Sequence, residues 1–266
     1  PFPQVNVSSL SVRWLNGGNP PDLSTYSVVA STDGYYPNAD GGNAVLASTS
    51  PAGASPTATL SGLELNTTYF LFGAARNSVG TAGAWVLLGS TATRPAPPTA
   101  LGFEEVAFSS IPVSWSPNGN PLGVTSYTVT LSTVAAYPPG GDWDVSLSTV
   151  PDSATPILAL TGLRLNATYH LFVNADGHAH DAFAVGPSTA TQASSPASSP
   201  DAADYEPVST TGFTLNWSSG SADPGYNAPP RWTTYYALIS ANAGFSPALA
   251  SSVTFNLSAD FTGLSV

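Results

Sequence analysis

The side chains best equipped for chemistry gather in DGHAHD, Asp176 to Asp181, where His178 and His180 stand two residues apart between carboxylates. On an extended backbone residues two apart face the same way, so the two imidazoles could join Asp176 or Asp181 in a small metal shell. The same residues also make an ordinary solvated turn. No further preorganised ligand or supporting partner is evident, so the turn is preferred and no metal is assigned. NADGGN at Asn38 to Asn43 and DWD at Asp142 to Asp144 offer oxygens to calcium, but without the ligand spacing of a known calcium loop. Trp143, Trp232 and the Tyr35 and Tyr36 pair are candidates for stacking on sugar rings, although aromatic residues serve more often as core or loop anchors.

Catalytic groupings are missing. Glu104 and Glu105 are adjacent, so on a strand they would point to opposite faces and could not work as a paired acid and base. There is no nucleophile elbow, metal-protease helix or phosphate loop. The chain has no cysteine, which removes thiolate chemistry and disulfides alike. The reading is non-enzymatic, with no catalytic residue and no cofactor.

Charge narrows the partners. The formal net charge is -11, and the basic residues are five scattered arginines, Arg13, Arg76, Arg94, Arg164 and Arg231. Such a chain repels phosphate backbones and anionic headgroups, which argues against nucleic acid and membrane surfaces. No apolar run reaches 18 residues, so no membrane insertion or export signal is expected within this segment. Charged residues make up only 8% of the chain. Its solvated surface must therefore be built from Ser, Thr, Asn and Gly. Asn6, Asn66, Asn166, Asn216 and Asn256 each have Ser or Thr two places on, the acceptor pattern for N-linked glycan. Asn66 and Asn166 are expected at equivalent exposed corners. The other three are expected in strands.

What must position these residues is a repeat. LSGLELNTTYFLFGAARN at Leu60 to Asn77 returns as LTGLRLNATYHLFVNADG at Leu160 to Gly177, and FTGLSV begins a third copy at Phe261. Trp14, Trp115 and Trp217 mark the same place in three units of about 100 residues, a size that buries an adequate core without staples. Alternating apolar residues such as Val5, Val7, Leu10, Val12 and Trp14 give the period of half-buried strands. Runs such as NGGNPP at Asn16 to Pro21 supply turns, and no window sustains a helical stripe. An all-β sandwich follows. The boundaries read as 1–94, 95–192, a Ser/Pro-rich linker at 193–203, and 204–266. The first linker, RPAPPTA from Arg94, is stiffened by proline. The second is the expected hinge.

These features together resemble the fibronectin type III module, a seven-stranded, immunoglobulin-like, two-sheet sandwich. The resemblance rests on the three tryptophans and on the corners Leu60, Leu63, Tyr69 and Leu160, Leu163, Tyr169. It departs at Asn66 and Asn166, where that family commonly has proline, and at Gly177, where it commonly has asparagine. The third module would be without its last two strands, either cut short or completed by another chain. The resemblance implies a corner tyrosine whose ring enters the core and whose hydroxyl bonds backbone across the turn. The expected function is structural: a segment of an extracellular or cell-surface stalk or filament, of microbial type, that self-associates or meets neighbouring domains of a longer chain. The competing expectation is a spacer or carbohydrate-binding accessory of a secreted polysaccharide-active enzyme or adhesin, with polysaccharide as the partner.

Overall fold

The computed structural model describes residues 2–20, 23–36, 44–49, 55–142, 144–196, 205–219 and 233–265. It is all-β, a tandem array of fibronectin type III-like sandwiches. The candidates Trp143 and Trp232, the segment Asn38 to Asn43 and the middle of the second linker lie outside the described residues.

The first unit places β1 (Gln4–Val5), β2 (Ser9–Arg13) and β5 (Thr57–Ser61) in one antiparallel sheet. The facing sheet has the order β4 (Ala44–Thr49), β3 (Thr25–Ser31), β6 (Thr68–Arg76) and β7 (Val86–Ala92). The second unit repeats both sheets. Its three strands are β12 (Ile157–Thr161), β9 (Ser110–Ser116) and β8 (Thr99–Phe103), and its four are β11 (Val145–Thr149), β10 (Ser126–Ser132), β13 (Thr168–Asp176) and β14 (Ala182–Ala190). Three strands facing four, with the fifth strand joining the first sheet and the sixth the second, is the sandwich arrangement anticipated from the repeat. Glu104 and Glu105 fall just past β8 and are exposed.

Alternation drives burial. In β9, Ile111, Val113 and Trp115 point inward, and across from them Tyr169, Leu171, Val173 and Ala175 of β13 do the same. The first unit packs Leu10, Val12, Val28, Leu60, Tyr69 and Leu71 equivalently. Each signature tryptophan meets a tyrosine of the facing sheet: the ring centroids are 5.5 Å apart for Trp14 and Tyr26, 5.7 Å for Trp115 and Tyr127, and 5.6 Å for Trp217 and Tyr235. Aromatic pairs at this spacing add to what area burial alone contributes.

The third unit has β15 (Val208–Ser209), β16 (Gly212–Asn216) and β19 (Ser258–Thr262) in one sheet, and β17 (Tyr235–Ile239) with β18 (Ala250–Thr254) in the other. Phe261 is buried against Phe213, Leu215 and Trp217. Among the described residues no strand pairs with the second edge of β17, where β6 and β13 lie in the other units.

All three units turn the same corner after their fifth strand. Gly62, Gly162 and Gly263 adopt φ of +74°, +78° and +72°, a conformation that costs glycine little and other residues more. The following leucine, Leu63, Leu163 or Leu264, donates its N–H to the carbonyl of Ser8, Ser109 or Thr211 at 3.0, 3.0 and 2.9 Å. Tyr69 is 2% exposed, and its hydroxyl accepts the Glu64 N–H at 3.0 Å; Tyr169 accepts the Arg164 N–H at the same distance. The corner tyrosine thus has a buried ring and a hydroxyl that satisfies backbone in the turn. Burial raises the Tyr69 hydroxyl above its ordinary pKa, against the opposing effect of the Glu64 backbone bond.

Candidate functional site at the joints between units

The residues that do most beyond holding a single sandwich sit where one unit meets the next. The second-unit turn PNGN, Pro117 to Asn120, takes φ of +56° at Asn118 and +80° at Gly119, which folds both asparagine side chains back toward the incoming linker. Asn120 is 3% exposed, and its Oδ1 accepts the Ala96 N–H at 2.8 Å. Its Nδ2 lies 2.9 Å from the Ala96 carbonyl, 2.8 Å from the Pro117 carbonyl and 3.1 Å from the Tyr127 hydroxyl. One amide therefore grips both backbone groups of a linker residue and ties them to its own turn. Asn118 adds a bond from Nδ2 to the Pro97 carbonyl at 2.9 Å. Burial raises the Tyr127 hydroxyl above its ordinary pKa, more than the Asn120 bond lowers it.

The corner asparagine closes the joint from the other side. Asn66 adopts φ +46°, is 2% exposed, and donates from Nδ2 to Thr125 Oγ1 of the second unit at 3.2 Å. Its Oδ1 accepts the His178 backbone N–H at 3.1 Å and faces His178 Nδ1 at 3.0 Å. Gly177 lies against the linker as well: a Cβ there would be 2.8 Å from Pro95 Cδ and would collide with the His180 carbonyl. Glycine at this departure from the resembled pattern permits the loop after β13 to lie on the proline segment.

The second joint repeats the corner bond. Asn166, with φ +48°, donates from Nδ2 to Thr233 Oγ1 at 2.6 Å. Thr125 and Thr233 each stand two residues ahead of the paired tyrosines Tyr127 and Tyr235, and both are nearly inaccessible, at 1% and 4%. The linker taken as the hinge is thus accompanied by a direct bond between the units it connects. The corners are themselves locked by buried threonines. Thr93 Oγ1 donates to the Glu64 carbonyl at 2.6 Å and accepts the Thr67 N–H at 3.0 Å, and Thr191 repeats the pair with Arg164 and Ala167.

This geometry corrects the expected exposure of the glycan acceptors. Asn66 is buried and Asn166 half-buried, and a sugar on either Nδ2 would displace the bond to the next unit. Asn6 lies in the turn between β1 and β2, and Asn256 in the bend between β18 and β19; both are exposed, although strands were expected. Asn216 ends β16 and is half-buried.

The DGHAHD residues are dispersed. Asp176 accepts bonds from Ser126, Thr128 and Asn174, Asp181 accepts the Gly177 N–H, and His178 turns to Asn66. Among the described residues no three His, Asp or Glu side chains group as a metal shell. Of the aromatic candidates, Tyr35 is exposed, whereas Tyr36 packs edge-on against Trp85 at 4.7 Å. Asp144 is tied back to the Gly141 N–H at 2.9 Å.

Sequence reasoning did not single out Asn118, Asn120, Thr125, Thr233, Thr93 or Thr191. The usable signal was the recurrence of an N-P turn ahead of Tyr26 and Tyr127, in NGGNPP and again in PNGNP.

No protein-family model matches the chain, and no curated protein matches it either. Among solved structures it is similar to a two-domain fibronectin type III segment of chicken tenascin, at 16% identity and a TM-score of 0.47, covering 72% of this chain and 97% of that one. It is also similar to the FN1-FN3 domains of chicken CNTN1, at 17% identity and a TM-score of 0.31, covering 72% of this chain and 66% of that one.

Proposed function

We propose that the chain is a non-enzymatic spacer, a segment of an extracellular or cell-surface stalk or filament in which sandwiches are held at set angles by bonds at their joints. The observation that carries this reading is the recurrence of one joint. A corner asparagine bonds a threonine of the next unit at both junctions, and at the first Asn120 also grips the linker backbone. A chain needing free swivelling between units would have no use for such bonds, and loose linkers alone would serve. The location follows from the tryptophan and tyrosine-corner motifs, which resemble those of fibronectin type III modules, a commonly extracellular kind. Neighbouring units of the same kind are the partners, and Asn6 and Asn256 are the acceptors most open to glycan.

Pulsed electron paramagnetic resonance tests the joint. The chain has no cysteine, so nitroxides on Thr57→Cys and Ile157→Cys, both exposed strand positions, report one inter-unit distance. A stiff spacer gives a narrow distribution, and a broad one refutes the reading. Retention on insoluble polysaccharide would instead favour an accessory to a carbohydrate-active enzyme.

A further inference from the structure

The outer end of the first unit carries a second copy of the joint socket. Asn19 stands at the position of Asn120, Ser24 at that of Thr125 and Tyr26 at that of Tyr127, each offset by 101 residues. The internal bonds are also repeated: Asn19 Nδ2 lies 2.8 Å from the Asn16 carbonyl and 3.4 Å from the Tyr26 hydroxyl, and the Tyr26 hydroxyl donates to the Asn16 carbonyl at 2.9 Å. The amide is therefore held in the orientation that Asn120 uses to read linker backbone. Among the described residues nothing donates to Asn19 Oδ1, the atom corresponding to the one that accepts Ala96 N–H at the first joint. Asn19 and Ser24 are half-buried, whereas Asn120 and Thr125 are covered.

The space around this amide is concave. A cavity of about 440 Å³ is lined by Asn19, Ser24, Leu23, Asn77 and Ser78, with Arg76 at its wall. Asn77 and Ser78 correspond to Gly177 and His178, the loop that meets the preceding corner and linker at the first joint. Arg76 is occupied by Ser27 Oγ at 2.7 Å and the Gly80 carbonyl at 3.0 Å, so the open donors and acceptors of the groove are mostly neutral.

We propose that this groove is a docking site for the carboxy-terminal end of another unit of the same kind. Its ligand is an extended, proline-flanked segment whose backbone N–H and C=O are read by Asn19, delivered beside an asparagine corner that bonds Ser24. The inference rests on the spacer reading and deepens it, because it makes the joint a reusable connector. The chemistry of the occupant follows from the first joint, which displays both halves in contact. Several substitutions set the socket apart. Ser78 replaces His178, which removes the ring contact with the corner asparagine. Gly17 replaces Asn118 and so lacks the bond to the Pro97 carbonyl, and Asn77 brings a Cβ where Gly177 has none. The first unit is thereby a weaker receptor than the second, and Gly17→Asn should strengthen it, since asparagine tolerates the φ of +66° found there.

The test is a four-unit chain with a second copy of residues 1–101 fused ahead of Pro1, which keeps the offset of 101 between matched tryptophans. Nitroxides on Thr57→Cys in the leading copy and in the next report the new joint, and the Thr57 and Ile157 pair in the parent chain reports the natural one. The expected result is a narrow distribution at both joints, with the new one broadened by Asn19→Ala with Ser24→Ala and narrowed by Gly17→Asn. A broad distribution at the new joint, unmoved by these substitutions, overturns the docking site while leaving the spacer reading intact. Broad distributions at both joints overturn the two together. Native circular dichroism and a tyrosine-corner amide spectrum for the leading copy establish that the unit presented is folded.

Discussion

Replacing Asn120 separates two energies that the native joint combines. One Oδ1 and two N–H groups allow about three full bonds at a time, each worth about 1 kcal/mol net when buried. The close contacts to Ala96 N and Ala96 O belong to linker docking, and those to Pro117 O and Tyr127 belong to the second unit's own turn. Asn120→Ala should therefore cost about 2 kcal/mol in docking and about 1 kcal/mol in the unit. Amide hydrogen exchange reads both. The Ala96 N–H should exchange about thirtyfold faster, the equivalent of 2 kcal/mol. The Val129 N–H, in the middle of β10, should speed up only about fivefold, through the loss of unit stability. Asn120→Asp sharpens the test. It keeps an oxygen for Ala96 N–H but points a second one at the Ala96 and Pro117 carbonyls, so at neutral pH it should be worse than alanine. Wild-type exchange at Ala96 in either variant, or equal acceleration at both amides, would refute the assignment of Asn120 as the linker grip.

Tyr69→Phe leaves the part-buried Glu64 N–H without its acceptor and should cost about 1 kcal/mol, measured by urea unfolding. The raised pKa of Tyr69 and Tyr127 sets a pH dependence. Both are neutral in either state below the unfolded value of 10.0, so their contribution is fully present there. As pH rises past that value the unfolded chain ionises first, and stability falls as pH rises through the folded pKa. Thermal melts should therefore drop above pH 10.0, and less steeply in Tyr127→Phe after correction for its lower baseline. Gly177→Ala should push the loop off Pro95 and broaden the first inter-unit distance while the isolated sandwich signals stay native. In a glycosylating host, peptide mapping should find glycan at Asn6 and Asn256 and a bare Asn66 in folded material.

Much of the sandwich was legible because burial in a strand has a period, and that period shows in a single sequence. Ile111, Val113 and Trp115 recur at every second position, and the tyrosine corner was reached through the family resemblance that the leucines and tyrosine carry. The joint was not legible for a physical reason. Asn66 meets Thr125, 59 residues away, through one hydrogen bond between small polar side chains, and no periodic pattern marks such a pair. The same asparagines also satisfy two other readings, turn former and glycan acceptor, and composition does not decide between them. Exposure does, and exposure at a corner depends on what the next unit places over it. At Asp176 to Asp181 the strand-like spacing that would set two imidazoles on one face does not apply, because the chain bends there, as the preferred turn reading has it, and Asp176, His178 and Asp181 go to different neighbours.

Apart from the contact of the His178 ring with Asn66 Oδ1, the covered bonds of the first joint run between asparagine, threonine and backbone amides, none of which carries formal charge. Ionic strength screens interactions between exposed charges and leaves buried neutral hydrogen bonds nearly untouched. The angle between units and the resistance to bending should therefore be the same in dilute and in saline water. A rod with joints of this kind keeps its mechanics across changes of salinity that would loosen one held by ion pairs.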